Sequence, residues 1–167
     1  MSGEHADLAR DSGQHFRHVL SHLPTGVVVI AGEDGDGPAG LAVGSFSSIS
    51  LDPPLVGFFC DRASTSWPLA RKTGGFCVNV LAAEQSEVSA RFARKGGRKF
   101  EGLPYSSSPH TGSPVLAGVL AWIDCKIERE IELGDHTLVV GATLELNVGE
   151  SARPLVFFRG GYPGLGE

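Results

Sequence analysis

The sequence predicts a mainly β domain, built as a closed antiparallel barrel with a few short flanking helices. Short runs rich in β-branched and aromatic residues recur along the chain, glycine-led turns separate them, and few stretches show helical spacing. The length of 167 residues suits one domain, and 23 glycines with 10 prolines supply the turns. Closure into a barrel is the arrangement that leaves such strands without bare edges.

Bulk properties exclude several classes of function. A hydrophobic content of 41% supports a core, whereas 20% charged residues and a net charge of -5 argue against nucleic acid or an anionic membrane as partner. No apolar run is long enough to span a bilayer. Residues 1–13 are polar and acidic, lack the apolar segment of a signal peptide, and read as a flexible tail before a single domain over 14–167. Cys60, Cys77 and Cys125 lie far apart in apolar contexts. They read as buried thiols of a cytoplasmic protein, with neither a disulfide nor a metal site.

Taken in order, Phe16, Val19, Leu20 and Leu23 fall on one face of a short helix, which Pro24-Thr25-Gly26 ends. His18 and His22 share a face at i, i+4 without a carboxylate beside them, so a surface helix is expected there and not a metal site. Val27–Ala31 is a β-branched run that fits a central strand. Gly35-Asp36-Gly37-Pro38-Ala39-Gly40 matches a dinucleotide fingerprint in letters only. Pro38 removes an N–H, strand-like sequence follows where a helix is required, and three nearby carboxylates repel phosphate, so a hairpin loop is expected. The strand-like stretch from Ala39 alternates polar and apolar residues at Ser45-Phe46-Ser47 and again at Ser48-Ile49-Ser50-Leu51, and Asp52-Pro53-Pro54 stops it.

Leu55–Cys60 reads as a buried strand, with a helix beginning near Ser66 or Trp67 after the hydroxyl-rich segment 61–67. Phe76–Leu81 is a further strand in which Asn79 fits a structural hydrogen-bonding role. Residues 84–93 fit a helix with Val88 and Phe92 on one face. Arg91, Arg94, Lys95, Arg98 and Lys99 surround Gly96-Gly97 as a basic cluster, which by itself reads as a solvated loop. Residues 101–114 read as loop, 119–129 as a long strand with Trp122 in the core, and 138–146 as its hairpin partner across the turn at Gly134-Asp135-His136. Residues 154–162 read as the last strand.

Several of these segments carry a family resemblance. Ser45-Phe46 and Ser48–Pro54, Asp61-Arg62-Ala63-Ser64-Thr65-Ser66, Phe76–Leu81, Phe92–Phe100, Ala121–Cys125, Gly134-Asp135-His136 and the closing Pro154–Tyr162 resemble, in the same order, motifs of the flavin reductase family. That family has the FMN-binding split-barrel fold and supplies the reductase components of two-component flavin-dependent monooxygenases. The chain departs from the pattern at Ala42 and Gly44, where the family usually has threonine and asparagine.

The resemblance implies a homodimeric split barrel that transfers hydride from NADH or NADPH to FMN or FAD and supplies a partner monooxygenase with reduced flavin. It carries flavin contact to Val43, Gly44, Ser45, Phe46, Ser47, Ser50, Asp52 and Pro53, and phosphate contact to Arg62, Ser64 and Ser66. It places Lys99, Phe100 and Tyr162 beside the cofactor and His136 at the ring, where it orients the nicotinamide. Read without it, the serine stretch is an edge strand, the 61–67 segment a capped surface helix and His136 a turn histidine. A flavin carrier without turnover and a related barrel using another cofactor are the alternatives. Gly134-Asp135-His136 favours catalysis over carriage, and the serine stretch favours flavin over haem.

Overall fold

The structure is a computed structural model that describes residues 13–150 and 152–166. Of the expected tail, all but Gly13 lies outside the described residues. Residues 13–20 form helix α1. Eleven strands follow, in the order β1 (Thr25–Gly26), β2 (Val28–Glu33), β3 (Pro38–Val43), β4 (Ser47–Leu51), β5 (Pro54–Asp61), β6 (Gly75–Val80), β7 (Tyr105–Ser107), β8 (Pro114–Leu116), β9 (Ala121–Leu133), β10 (His136–Val148) and β11 (Val156–Phe157). Helix α2 (Trp67–Ala70) follows β5, and α3 (Ser86–Ala93) follows β6. No helix among the described residues is long and apolar enough to cross a membrane.

Seven strands form one antiparallel sheet in the order β3-β2-β6-β9-β10-β5-β4. The mainly β, antiparallel expectation holds, but no ladder among the described residues joins the two edge strands, β3 and β4. Both ends of the sheet nevertheless pack on one core, in which Leu41 of β3 shares a cluster with Val56 and Phe58 of β5. Just before β4 the Ser45 hydroxyl accepts a hydrogen bond from Phe59 N at 3.0 Å and donates to Phe59 O at 3.1 Å, extending the β4–β5 pairing with a side chain.

Strand β2 lies inside the sheet, between β3 and β6 and one place from its edge, where its β-branched run is covered on both sides. Val28 and Ile30 face the sheet interior, while Val29 and Ala31 face a second apolar cluster with Leu81, Phe92, Phe100 and Leu155. A strand buried on both faces has no polar side in its sequence. Phe58, Trp67 and Phe76 meet edge to face with ring centroids 5.2–5.9 Å apart. The core tryptophan is therefore Trp67; Trp122 is only half-buried on β9, correcting its expected place. Helix α2 fits so tightly over β2 that a Cβ on Gly32 would lie 1.9 Å from Ala70 O. Only glycine permits that approach.

Other departures from expectation have physical causes. The serine stretch is not one strand: it breaks at residues 44–46 and resumes as β4, and Pro54 opens β5. The supposed loop 101–114 contains β7 and leads into β8, a two-stranded ribbon fixed by Asn79. The buried Asn79 amide donates to Pro114 O at 3.0 Å, and its oxygen accepts from Leu116 N at 2.7 Å. Buried Asp124 pins residues 110–111 by accepting from His110 N and Thr111 N. The last strand is reduced to two residues paired with β1.

Candidate functional site

A groove of about 320 Å³ opens where β3 runs out, between that strand, the loop after β5, the end of α3 and the start of β10. Sequence and topology explain this convergence. Antiparallel pairing sets His136, the first residue of β10, opposite Asp61, the last residue of β5. The backbone stays joined beyond the ladder, since Arg62 N donates to Asp135 O at 3.0 Å. His136 thus stands beside Asp61 and Ala63–Ser66 in one wall, and Val43, Gly44 and Ser45 form another.

Lys99 closes the base. Its ammonium donates to Gly40 O at 3.1 Å, Ser66 Oγ at 2.8 Å and Phe92 O at 3.0 Å, tying β3, the loop before α2 and the end of α3 together. The residue is 8% exposed, and burial lowers its pKa below the ordinary lysine value. All three ammonium hydrogens are engaged, so Lys99 positions the groove. Arg94 and Lys95 also line the groove.

His136 is oriented by its neighbour. Its Nδ1 donates to Asp135 Oδ1 at 2.7 Å, leaving Nε2 as the ring nitrogen for a ligand. The hydrogen bond and the charge of His136 hold the Asp135 carboxyl below its usual pKa. Gly44 is exposed and offers bare backbone to the groove. A Cβ there would come 2.7 Å from Thr25 Oγ1, so the missing side chain also lets β3 pass Thr25.

Of the expected site residues, Val43, Gly44, Ser45, Ser64, Ser66, Lys99 and His136 meet in this groove. The Ser45 hydroxyl is already committed to Phe59. Tyr162 lines a small adjoining hollow with Val43 and Gly44 and bonds Ser89 Oγ at 2.8 Å. Phe46 packs on the core, and Phe100 lies in the second cluster. Ser47 and Ser50 stand on β4, with Asp52 and Pro53 at its hairpin turn.

Arg62 does not line this groove. Its guanidinium turns away from the groove to donate to Gly134 O at 3.3 Å and to pair with Glu132 at 3.6 Å. Arg94, Lys95 and Thr65 line the groove in its place. Thr65 belongs to the hydroxyl-rich segment 61–67, while Arg94 and Lys95 stood in the basic cluster around Gly96-Gly97, which by itself also fits a solvated loop. Cys60 lies below, buried and with its thiol pKa raised by desolvation; burial likewise pushes the Cys125 thiol up to about 12. All three cysteines are free. Among the described residues no cluster could hold a metal ion.

Comparison with known proteins agrees with this architecture. The flavin reductase like domain model matches residues 20–166. A flavin reductase of Pseudomonas putida is 51% identical over 91% of this chain and 89% of its own length. The FMN reductase (NADH) SmoA of Agrobacterium fabrum is 36% identical over 97% of this chain and 92% of its own. The crystal structure of nitrilotriacetate monooxygenase component B from Mycobacterium thermoresistibile superposes with a TM-score of 0.88 at 39% identity, covering 93% of this chain and 88% of that one. With a match over nearly the whole described chain and a groove assembled from its motifs, the protein belongs to the flavin reductase like family.

Proposed function

We propose that this chain is an NAD(P)H:flavin oxidoreductase, taking hydride from NADH (or NADPH) to FMN or FAD and releasing reduced flavin to a partner monooxygenase. The observation that carries the reading is the convergence of His136, the Ser64–Ser66 hydroxyls, Arg94, Lys95 and the open strand end Val43–Ser45 in one groove. This donor set fits a flavin mononucleotide. Hydroxyls and cations suit a phosphate, and the bare backbone at Gly44 suits a flat ring. The names of the relatives, a flavin reductase, an NADH-dependent FMN reductase and a monooxygenase component, support the same reading.

When bound, the flavin accepts the hydride that the nicotinamide donates. The protein's part is binding and alignment. Ser64 and Ser66, with Arg94 and Lys95 at the rim, hold the phosphate. Val43, Gly44 and Ser45 present backbone to the ring system. His136, fixed through Nδ1 by Asp135, turns Nε2 toward the nicotinamide and orients it. Lys99 keeps the walls in register.

The core shared by both ends of the sheet supports a closed split barrel. Exposed apolar residues support a homodimer with the flavin near the subunit interface: Leu51 is 94% exposed, Val148 80% and Leu146 61%, alongside Phe16 and Leu23 on and after α1. In such a dimer the β4 hairpin, with Ser47, Ser50, Asp52 and Pro53, approaches a groove of the second copy. Three free buried thiols fit a reducing cytoplasm.

The side chains at Ala42 and Gly44 are too small to grip a flavin, so the flavin acts here as a diffusing substrate. Purified protein is expected to be pale, and aerobic NADH consumption to require added flavin. Yellow protein that keeps its flavin through gel filtration contradicts diffusion. Absence of flavin-dependent NADH consumption contradicts the enzyme reading.

A further inference from the structure

Lys99 is a buried cation without a counter-ion. Its ammonium forms no ion pair with a carboxylate among the described residues, and burial lowers its pKa with no acid opposing the shift. Charges held away from water are ordinarily paired. Here two carbonyls and the Ser66 hydroxyl take up the ammonium hydrogens, and the charge itself stays unbalanced.

The bond to Ser66 has a direction. A protonated lysine carries three donors and no acceptor, so Ser66 Oγ accepts and its own hydrogen points away from Nζ. That hydrogen has no acceptor among the described residues, and the hydroxyl makes no capping bond to α2. The neighbouring serines differ. Ser45 commits both donor and acceptor to Phe59, and Ser64 accepts from the neutral Trp67 N at 3.2 Å. Of the three, only Ser66 accepts from a full positive charge, which strengthens the hydrogen bond it gives in turn. Ser66 lines the His136 groove.

We infer that Lys99 determines specificity in the groove: acting through Ser66, it favours a ligand that presents an anionic oxygen and so selects phosphorylated flavin over riboflavin. The inference rests on the proposed flavin reductase reading. Lys99 is here a positioning residue, since it sets the polarity of the hydroxyl that meets the ligand. A bound phosphate also supplies the counter-ion that the ammonium lacks. Riboflavin, with a hydroxyl in place of the phosphate, offers Ser66 a neutral acceptor and leaves the charge unbalanced.

The test measures Kd for FMN and for riboflavin by flavin fluorescence in the full-length parent, Ser66→Ala, Ser66→Thr, Lys99→Met and the double variant Ser66→Ala/Lys99→Met. The readout is the ratio of the two affinities. Loosened walls weaken both flavins and cancel in that ratio, so a merely structural role leaves it unmoved. Arg94 and Lys95 are unchanged in every variant. Ser66→Ala and Lys99→Met are each expected to cut the preference for FMN by about ten- to a hundredfold, the scale of one charge-assisted hydrogen bond. Ser66→Thr keeps the hydroxyl and is expected to keep the preference. The double variant is expected to match Ser66→Ala within about twofold, because the charge acts through that hydroxyl. Riboflavin binding reports folding; should Lys99→Met lose it, Lys99→Gln, which keeps a donor and removes the charge, takes its place. An unchanged ratio in Ser66→Ala or in the Lys99 variant overturns the inference. So does a second, full loss in the double variant, which would mean that Lys99 acts on the phosphate directly. A parent that binds FMN and riboflavin equally overturns it too and leaves the reductase reading, tested by NADH-driven bleaching, intact. A parent that binds neither flavin overturns both.

Discussion

His136 stands at the groove because the β5–β10 register puts it opposite Asp61, and its ring is held at Nδ1 by Asp135. Removing the ring should leave the phosphate contacts untouched. His136→Ala is therefore expected to bind flavin almost normally, while the NADH KM rises or the flavin reduction rate falls by about ten- to a hundredfold, for a lost interaction of roughly 1.4–2.8 kcal/mol. Stopped-flow reduction of the flavin-loaded variant separates the two cases, and parent-like rate and NADH dependence return His136 to a structural role. Arg62→Ala is the contrasting change. Since that guanidinium faces Glu132 and the Gly134 carbonyl, the FMN KM is expected to stay within about twofold of the parent, the scale of a weak exposed pair. A tenfold rise for FMN that spares riboflavin would put Arg62 back on the phosphate.

Asp135 allows an independent check of the same contact. Its carboxyl pKa is lowered, first by the hydrogen bond from His136 and then by that residue's charge. A lowered carboxylate contributes stability that is present above its unfolded-state pKa and lost as pH falls through the folded one. In a carbon-detected NMR titration, Asp135 is expected to titrate below an ordinary aspartate in the parent and to move up toward that value in His136→Ala. An unmoved titration means that the pair does not form.

At the scale of elements, the groove depends on Lys99 joining β3, the loop before α2 and the end of α3. Lys99→Met removes the donor to two carbonyls and the Ser66 hydroxyl. Each acceptor left buried and unpaired costs about 1–3 kcal/mol. The urea midpoint is expected to fall with an unchanged m-value, and FMN binding to weaken because the walls lose their register. An unaltered midpoint removes the tie from the account.

Elements also set the limit of what the sequence disclosed. Strands β2, β5, β6, β9 and β10 were legible because apolar patterning over five or more residues reports burial directly. Strands β7 and β8 were hidden among serines and prolines, because the Asn79 amide, from a distant part of the chain, fixes β8. The motif order disclosed which loops meet, but not which side chains face inward. Arg62 and Arg94 are both loop arginines in sequence, and only the turn at Gly134 decides that one is drawn outward. The same holds for Trp67 and Trp122: the helical turn at α2 buries the first, while β9 leaves the second half-covered.

For the whole molecule, the sheet brings its two ends to one core and opens the groove at their meeting point, so fold and site have one cause. The protein contributes no redox group of its own, since its thiols are buried and their pKa values raised. Its contribution would be positioning, since hydride transfer needs donor and acceptor at about 3–3.5 Å and aligned. Hydride transfer to a flavin bound in the His136 groove is the reaction this arrangement is proposed to serve. Anaerobic mixing of a catalytic amount of protein with NADH and excess FMN or FAD tests it most directly, by following the loss of the oxidised flavin's visible absorbance. Many equivalents of flavin are expected to be bleached per protein, with the rate cut about ten- to a hundredfold in His136→Ala. Flavin that binds but stays oxidised under NADH would contradict it and leave the protein a flavin carrier.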